Sequence, residues 1–547
     1  MNSISSLHKT VNSPSSSDQY KWWQKEIVYQ IYPRSFQDGN GDGVGDLEGI
    51  IQRLDYLHWL GVRAIWISPI YPSPMADFGY DISDYTGIHP IFGTMETFDT
   101  LLEQVHRRGM KLILDLVPNH CSDQHPWFIE SRSSRNNPKS DWFIWKDALP
   151  DGSPPNNWLA VFGGAAWEWD ENRGQYYYHA FLKEQPDLNW RNPEVREAMF
   201  DVMRFWLRKG VDGFRVDVMW HLIKDELLRN NPPNPSYKPH MATVEQLLQS
   251  YSTDQPETHD VVKQMRSVVD EFEDRLLIGE IYLDVIRLVR YYGENNDEAH
   301  LPFNFLLVNK PWNPTTIAAI VDEYEGTLPE GAWPNWVLGN HDNARISTRI
   351  GKEQSRVAAM LLLTLRGTPT LYYGDEIGMT NVTIPREEIQ DPQGLNMPDK
   401  DLSRDPARTP MQWNDATYAG FSDAKPWLRI SDDFTETNVE SQQKHESSML
   451  NYVKRLIALR QQEAALHIGD YLPVHSDDKV LAYIRKSAER QYLVVLNMSH
   501  ESAEFKMPHS KAKGVVALAT NISREEQPFD TTITLDADEG LVILLEF

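Results

Sequence analysis

The sequence predicts an α/β protein: a (β/α)8 barrel, interrupted by one inserted domain after its third strand and followed by an antiparallel β sandwich. Three observations predict it. From about residue 25 to about residue 466, short apolar runs alternate with amphipathic helical stretches, as in a parallel sheet closed on itself. One gap between successive runs, about 95 residues long, far exceeds an ordinary connection and is rich in aromatics. After about residue 467 the pattern changes to period-two strands.

Taken in order, the apolar runs lie at 27–32, 64–67, 111–117, 213–218 and 276–281, with weaker ones near Phe303, Val337 and Leu371. Between the first two, Ile50, Leu54, Leu57 and Leu60 form a helical stripe, and Gly61 ends it. The long gap holds Trp142, Trp145, Trp158, Trp167, Trp169 and Tyr176 to Tyr178, so 119–187 is expected to be a separate small domain. The barrel then comprises 21–118 and 188–466. The fourth and fifth runs are about 60 residues apart, and Asn230-Asn231-Pro232-Pro233-Asn234-Pro235 breaks any helix there. Barrels add function at the C-terminal ends of their strands, so both excess segments are expected to overhang an active site. Runs at 480–484, 492–496 and 540–545 are strands of the C-terminal domain, 467–547. Residues 1–20, rich in Ser and Asn, are expected to be disordered.

Composition excludes several functions. The 547 residues are 41% hydrophobic and 24% charged, an ordinary globular balance. With 53 basic and 79 acidic residues the formal net charge is −26. That repels nucleic acid and anionic membrane but not a neutral substrate. The one cysteine, Cys121, permits no intrachain disulfide and reads as a small apolar residue at a strand end rather than as a nucleophile beside His120. No run of about 18 apolar residues exists to span a membrane, and residues 1–20 have no apolar signal core. A cytoplasmic location and a monomer or weak homo-oligomer are the expectations. There is no phosphate loop, no dinucleotide-type glycine turn and no His/Cys metal cluster, so no organic cofactor is expected.

Polar residues at strand ends carry the chemistry. Asp115 and Asn119-His120 follow the third run, Arg215 and Asp217 alternate along the fourth, Glu280 ends the fifth, and His341-Asp342 ends the seventh. Period two puts Arg215 and Asp217 on the same, inner face. Singly, Asp217 reads as a helix cap, Glu280 as a loop residue and His341 as a packing residue. Together, carboxylates crowded at one barrel mouth raise each other's pKa, which marks a functional site. An acid that protonates a leaving oxygen and a carboxylate that attacks carbon are the equipment of glycoside cleavage. The 18 Trp and 23 Tyr suit stacking on sugars, although most must serve the core and surface.

At this point the chain resembles glycoside hydrolase family 13, the α-amylase family, in its oligo-1,6-glucosidase and α-glucosidase branch. Asp115-Leu116-Val117-Pro118-Asn119-His120, Gly213-Phe214-Arg215-Val216-Asp217, Glu280 and Gly339-Asn340-His341-Asp342 resemble the family's four regions in order. Gln185-Pro186-Asp187-Leu188-Asn189 resembles its fifth. The resemblance implies that Asp217 is the nucleophile, Glu280 the general acid and base, and Asp342 the residue that stabilises the transition state. It implies that His120 and His341 bind the same sugar, that Arg215 keeps Asp217 ionised, and that 119–187 is the family's domain B. Asp77-Phe78-Gly79-Tyr80-Asp81 resembles the pocket motif of exo-acting members: Asp77 would grip a terminal glucose, Tyr80 stack on it and Arg408 close the pocket with Asp77. Phe162 and Phe181 match lining aromatics. Val218 matches branch members favouring α-1,6 bonds, whereas Met219-Trp220-His221-Leu222 departs from their pattern.

Asp38, Asn40, Asp42, Val44 (through its carbonyl) and Asp46, separated by glycines, suit a hard cation, although such a loop also occurs without a metal. Members of the family carry Ca2+ here, with Mg2+ the alternative, in a structural role. The expectation is a retaining exo-α-glucosidase acting on small α-glucosides, able also to transfer glucose to other acceptors. A sucrose isomerase or trehalose-synthase-like enzyme is the alternative, and a non-catalytic transporter-associated homologue a more distant one.

Overall fold

The computed structural model describes residues 20–308, 310–508 and 512–546. The segment 1–20, expected to be disordered, lies outside the described residues except for Tyr20. Eight strands form the barrel: β1 Val28–Ile31, β2 Ala64–Ile67, β3 Lys111–Leu116, β4 Gly213–Val216, β5 Leu276–Gly279, β6 Leu301–Pro302, β7 Asn335–Val337 and β8 Thr368–Tyr372. They run parallel in the order β7-β8-β1-β2-β3-β4-β5-β6. Both faces of these strands are covered, which is why they read as unbroken apolar runs rather than alternating ones. The three weak signals are the sixth, seventh and eighth strands. The two-residue β6 pairs with β5, and no ladder joins it to β7 among the described residues, so the cylinder closes apart from that seam.

The helix Leu47–Leu60 forms as its stripe predicts. Asp46 caps it by accepting from Gly49 N at 2.6 Å, and Gly61 ends it at φ 102°, which costs glycine no side-chain strain. After β3 the chain leaves the barrel through the helix Pro126–Ser133 and a three-stranded antiparallel sheet, Trp145–Lys146, Gln175–Tyr178 and Trp167–Asp170. Trp158, Trp167 and Tyr178 fill its small core. Asp187 anchors its return: its carboxylate is buried against Lys224 Nζ (2.5 Å) and accepts from Asn119 Nδ2 (2.9 Å) and Ala180 N (2.7 Å).

The proline-rich segment after β4 folds back on the inserted sheet. Asn157 Nδ2 donates to Asn231 O and Trp158 Nε1 to Arg229 O, each at 2.9 Å. Lys400 Nζ ties it to a third loop by donating to Met241 O at 2.7 Å. The chain ends in eight antiparallel strands, from Asp470–Ser476 to Gly540–Leu545, around their own apolar core. No described helix is long and apolar enough to cross a membrane.

Candidate active site

Register brings the first charged group into place. Asp115 on β3 lies beside Arg215 on β4, and Glu280 follows directly on Gly279, the partner of Val216. The Arg215 side chain is 0% exposed, and its guanidinium meets three carboxylates. Nη1 reaches Asp115 Oδ1 at 2.9 Å and Asp217 Oδ1 at 3.0 Å, and Nη2 reaches Glu280 Oε2 at 2.7 Å. The ring of Trp66 lies 4.9 Å below the same cation. Val218 takes φ 36°, ψ 49°, a left-handed conformation that a β-branched residue resists; its N–H donates to Glu280 Oε2 at 2.9 Å.

One cation shared by three buried anions cannot neutralise them all. Burial, then the charge of Glu280, pushes the Asp217 carboxyl well above its ordinary range, and Arg215 only partly offsets this. Burial lifts Glu280 and Asp115 to about 6 each against the same guanidinium. Arg215 acts on Asp217 in the expected direction, but its charge is divided among three carboxylates, which couples Asp217 to Glu280. Asp342 goes the other way. Burial would raise it, but the guanidiniums of Arg404 and Arg408 hold it below the ordinary range. Burial drives His120 down to about 3 and His341 well below its usual value, so both imidazoles serve as neutral hydrogen-bonding groups.

These groups face a cavity of about 450 Å3. Asp77, Tyr80, His120, Phe162, Phe181, Asp217, Glu280, His341 and Asp342 all line it. The Tyr80 hydroxyl donates to Asp115 Oδ2 (3.0 Å) and meets His341 Nε2 (2.7 Å), and the two rings stack 5.3 Å apart. Phe181 sits 5.1 Å from the His120 ring and 5.5 Å from Phe162, over the barrel mouth. Gln185 Nε2 reaches Asp77 Oδ2 (3.3 Å) and His120 Nε2 (3.2 Å).

Two predicted residues stand elsewhere than expected. Arg215 supports the carboxylates from behind and does not open onto the cavity. Arg408 does not pair with Asp77: Nη2 reaches Asp342 Oδ1 at 3.0 Å and Nε donates to His341 O at 2.7 Å, with its side chain 1% exposed. The partner of Asp77 is Arg404, four residues earlier, with Nη2 on Asp77 Oδ1 at 2.7 Å and Nη1 on Asp342 Oδ1 at 3.2 Å. Both arginines lie in one irregular stretch with no periodicity to say which points inward. Sequence reasoning also missed Tyr282, Asn343, Gln393, Glu245 and Gln249 on the cavity wall. The proline breaker was the signal for the last two, although it named a segment and not residues. Cys121 is buried and its thiol pushed well up by burial, in keeping with a packing role.

The acidic loop lies between β1 and the helix Leu47–Leu60. Asp38 Oδ1 accepts from Asn40 N (3.0 Å) and Gly41 N (2.7 Å), and Oδ2 from Gly43 N (2.8 Å). Asn40 Oδ1 accepts from Asp42 N and Asp42 Oδ1 from Val44 N, both at 2.9 Å. No cluster of three or more His, Cys, Asp or Glu side chains is poised for a metal among the described residues. The donors are nonetheless all oxygen, as a hard cation requires, and the Asp46 carboxyl is raised first by burial and to a lesser degree by the charge of Asp38. The residues fit such an ion.

Comparison with known proteins gives the family. Residues 30–469 match the family model described as alpha amylase, catalytic domain, and residues 472–537 that described as maltogenic amylase, C-terminal domain. A probable α-glucosidase of Rhizobium meliloti is 40% identical, covering 92% of this chain and 94% of its own. An oligo-1,6-glucosidase of Halalkalibacterium halodurans is 40% identical over 96% of this chain and 99% of its own. Among solved structures, an α-glucosyl transfer enzyme superposes with a TM-score of 0.92 at 38% identity, covering 96% of this chain and 100% of that one. The isomaltulose synthase of Protaminobacter rubrum gives 0.90 at 35% identity with the same coverage.

Proposed function

The chain belongs to the α-amylase family of glycoside hydrolases, and from that premise we propose that it is a retaining exo-α-glucosidase acting on short α-glucosides. The observation that carries the reading is the end of the cavity, where Arg404 joins Asp77 and Asp342. Charge-assisted hydrogen bonds from this group would satisfy the outer hydroxyls of one terminal glucose. The same ion pairs would leave no room for a further sugar beyond that ring. At the other end, Asp217 and Glu280 meet the two terminal nitrogens of one guanidinium. For the retaining mechanism the two carboxyls should lie about 5–5.5 Å apart, against about 6.5–9.5 Å for an inverting one.

In this mechanism a glucose enters with its anomeric carbon toward Asp217. Glu280 gives its proton to the glycosidic oxygen as the C–O bond breaks, and Asp217 attacks the anomeric carbon from the opposite face to give a covalent glucosyl ester. Glu280, now ionised, takes a proton from water, whose oxygen attacks the ester and restores Asp217. Asp342, kept anionic by its arginines, binds sugar hydroxyls as positive charge develops at the ring. An acceptor hydroxyl in place of water gives transglucosylation. The acidic loop would hold a structural Ca2+ or Mg2+ through Asp38, Asn40, Asp42, Asp46 and the Val44 carbonyl, and would take no part in these steps.

The test is the early product from maltotriose to maltoheptaose. The reading expects each chain to lose one glucose from its non-reducing end and to appear one unit shorter, with kcat/KM falling as the chain lengthens; early maltotriose from maltoheptaose would refute a closed pocket. Running isomaltose beside maltose reads the linkage preference to which Val218 points. The similarity to an isomaltulose synthase keeps one second reading, glucosyl isomerisation. Isomaltulose or trehalulose as the main product from sucrose would establish it, whereas free glucose and fructose support hydrolysis.

A further inference from the structure

Arg404 is held from outside the cavity. Its Nε and Nη2 donate to Asp391 Oδ1 at 2.9 and 2.6 Å, and its own backbone N–H donates to Asp391 Oδ2 at 2.7 Å. Asp391 thus gives both oxygens to one residue, side chain and main chain. It is 0% exposed and does not line the cavity. The next position repeats the contact in reverse: Asp405 Oδ2 accepts from Gln390 N (2.7 Å) and Asp391 N (3.0 Å). Two carboxylates therefore staple 390–391 to 404–405. The free face of the guanidinium lies 4.6 Å over the ring of Phe162, which fixes its plane.

We propose that Asp391 is a positioning residue for the glucose-binding end, holding Arg404 so that one guanidinium serves Asp77 and Asp342 at once. The inference rests on the reading of the cavity as a glucose pocket. An arginine on a pocket wall has several soft torsions, and a carboxylate gripping Nε, Nη2 and the backbone together removes that freedom before substrate arrives. Asp391 has a second effect, through charge. Arg404 and Arg408 hold its carboxyl below the ordinary range, so it is an anion at neutral pH. It shares Nη2 with Asp77, which keeps its own 2.7 Å contact to the same nitrogen, so the guanidinium is held between an anion outside the cavity and one on its wall. Without Asp391, Nε would be buried with no acceptor, and Arg404 would collapse onto the two pocket carboxylates.

The experiment measures the inhibition constant of glucose and kcat/KM on maltose for the wild type, Asp391→Asn, Asp391→Glu, Arg404→Ala and the Asp391→Asn/Arg404→Ala double variant, with Tm recorded for each. Asp391→Asn is expected to weaken glucose and lower kcat/KM by about tenfold or more. Asp391→Glu, which keeps the charge on a longer arm, should fall between. In the Arg404→Ala background the Asp391 change should cost less than about twofold more, because its effect runs through Arg404. A folded Asp391→Asn enzyme within about twofold of wild type on both measures would overturn the proposal. So would a loss that simply adds to that of Arg404→Ala, or failure of both Asp391 variants to fold, which would make the residue purely structural. Asp77→Ala separates the two readings. If it leaves glucose affinity unchanged, the pocket reading itself fails; if it weakens glucose while Asp391→Asn does not, only the positioning role falls.

Discussion

Arg215 divides one positive charge among Asp115, Asp217 and Glu280, and the residue-scale predictions follow from that division. Asp217→Asn cannot form a glycosyl ester, so its turnover should drop to background on every substrate. Glu280→Gln should lose about 10²–10⁴-fold on maltose and far less on p-nitrophenyl glucoside, whose leaving group needs little protonation; equal losses on the two substrates would argue against Glu280 as the acid. The active form carries one proton on the Asp217–Glu280 pair. Below the pair's titration range both are protonated and attack fails; above it Glu280 has no proton to give. The rate profile is therefore bell-shaped, with limbs that belong to the pair. Asp115 raises both carboxyls, so Asp115→Asn should move both limbs to lower pH; an alkaline shift in the pH–rate profile would contradict the charge-sharing account. Asp217 and Glu280 were legible in the sequence because an apolar strand fixes the end at which each side chain emerges, whereas Asp342, beyond a three-residue strand, was legible only through the resemblance of Gly339-Asn340-His341-Asp342 to a family motif. Arg404 was not, because a loop without period gives Arg404 and Arg408 equal standing, and only folding shows that Arg408 turns back toward Asp342 and His341.

At the scale of elements, strands were legible where the apolar run is unbroken; β8 has five residues, but its Thr368-Pro369-Thr370 start hides the run. The runs ending in Leu116 and Val216 were plain, whereas β6 has two residues and β7 three, too few to show a pattern. The helix Leu47–Leu60 was legible at both ends because its cap, Asp46, and its stop, Gly61, are local signals. The proline-rich segment was legible as an interruption, but its role as a cavity wall depends on contacts with residues far along the chain, Asn157 and Lys400 among them, which no local pattern encodes. The acidic loop carries a prediction at this scale. A cation bound only by the folded state raises stability by mass action. Chelation, or Asp42→Ala, should lower Tm by a few degrees while the still-folded enzyme keeps nearly all its activity, as differential scanning calorimetry beside an assay at low temperature would read. Immediate loss of turnover on chelation without unfolding would give the metal a catalytic role instead.

At the scale of the whole molecule, three segments far apart in sequence meet over one barrel mouth: the inserted domain with Phe162 and Phe181, the proline-rich segment with Glu245 and Gln249, and the stretch from Gln393 to Arg404. The barrel holds the reacting carboxylates on rigid strand ends, and the three segments decide what reaches them. A net charge of −26 spread over this surface places no penalty on a neutral sugar. The barrel and the C-terminal strands were legible from their hydrophobic periods and the insertion from the length and aromatic content of its gap; the shape of the cavity was not, because it arises between segments. The central claim joins the barrel and the pocket: two carboxylates on one guanidinium break an α-glucosidic bond by double displacement. It is tested most directly by proton NMR of the anomeric region during the first minutes of maltose hydrolysis, before mutarotation equilibrates the sugars. The account predicts α-glucose as the first anomer formed from the non-reducing unit, and β-glucose appearing first would contradict it.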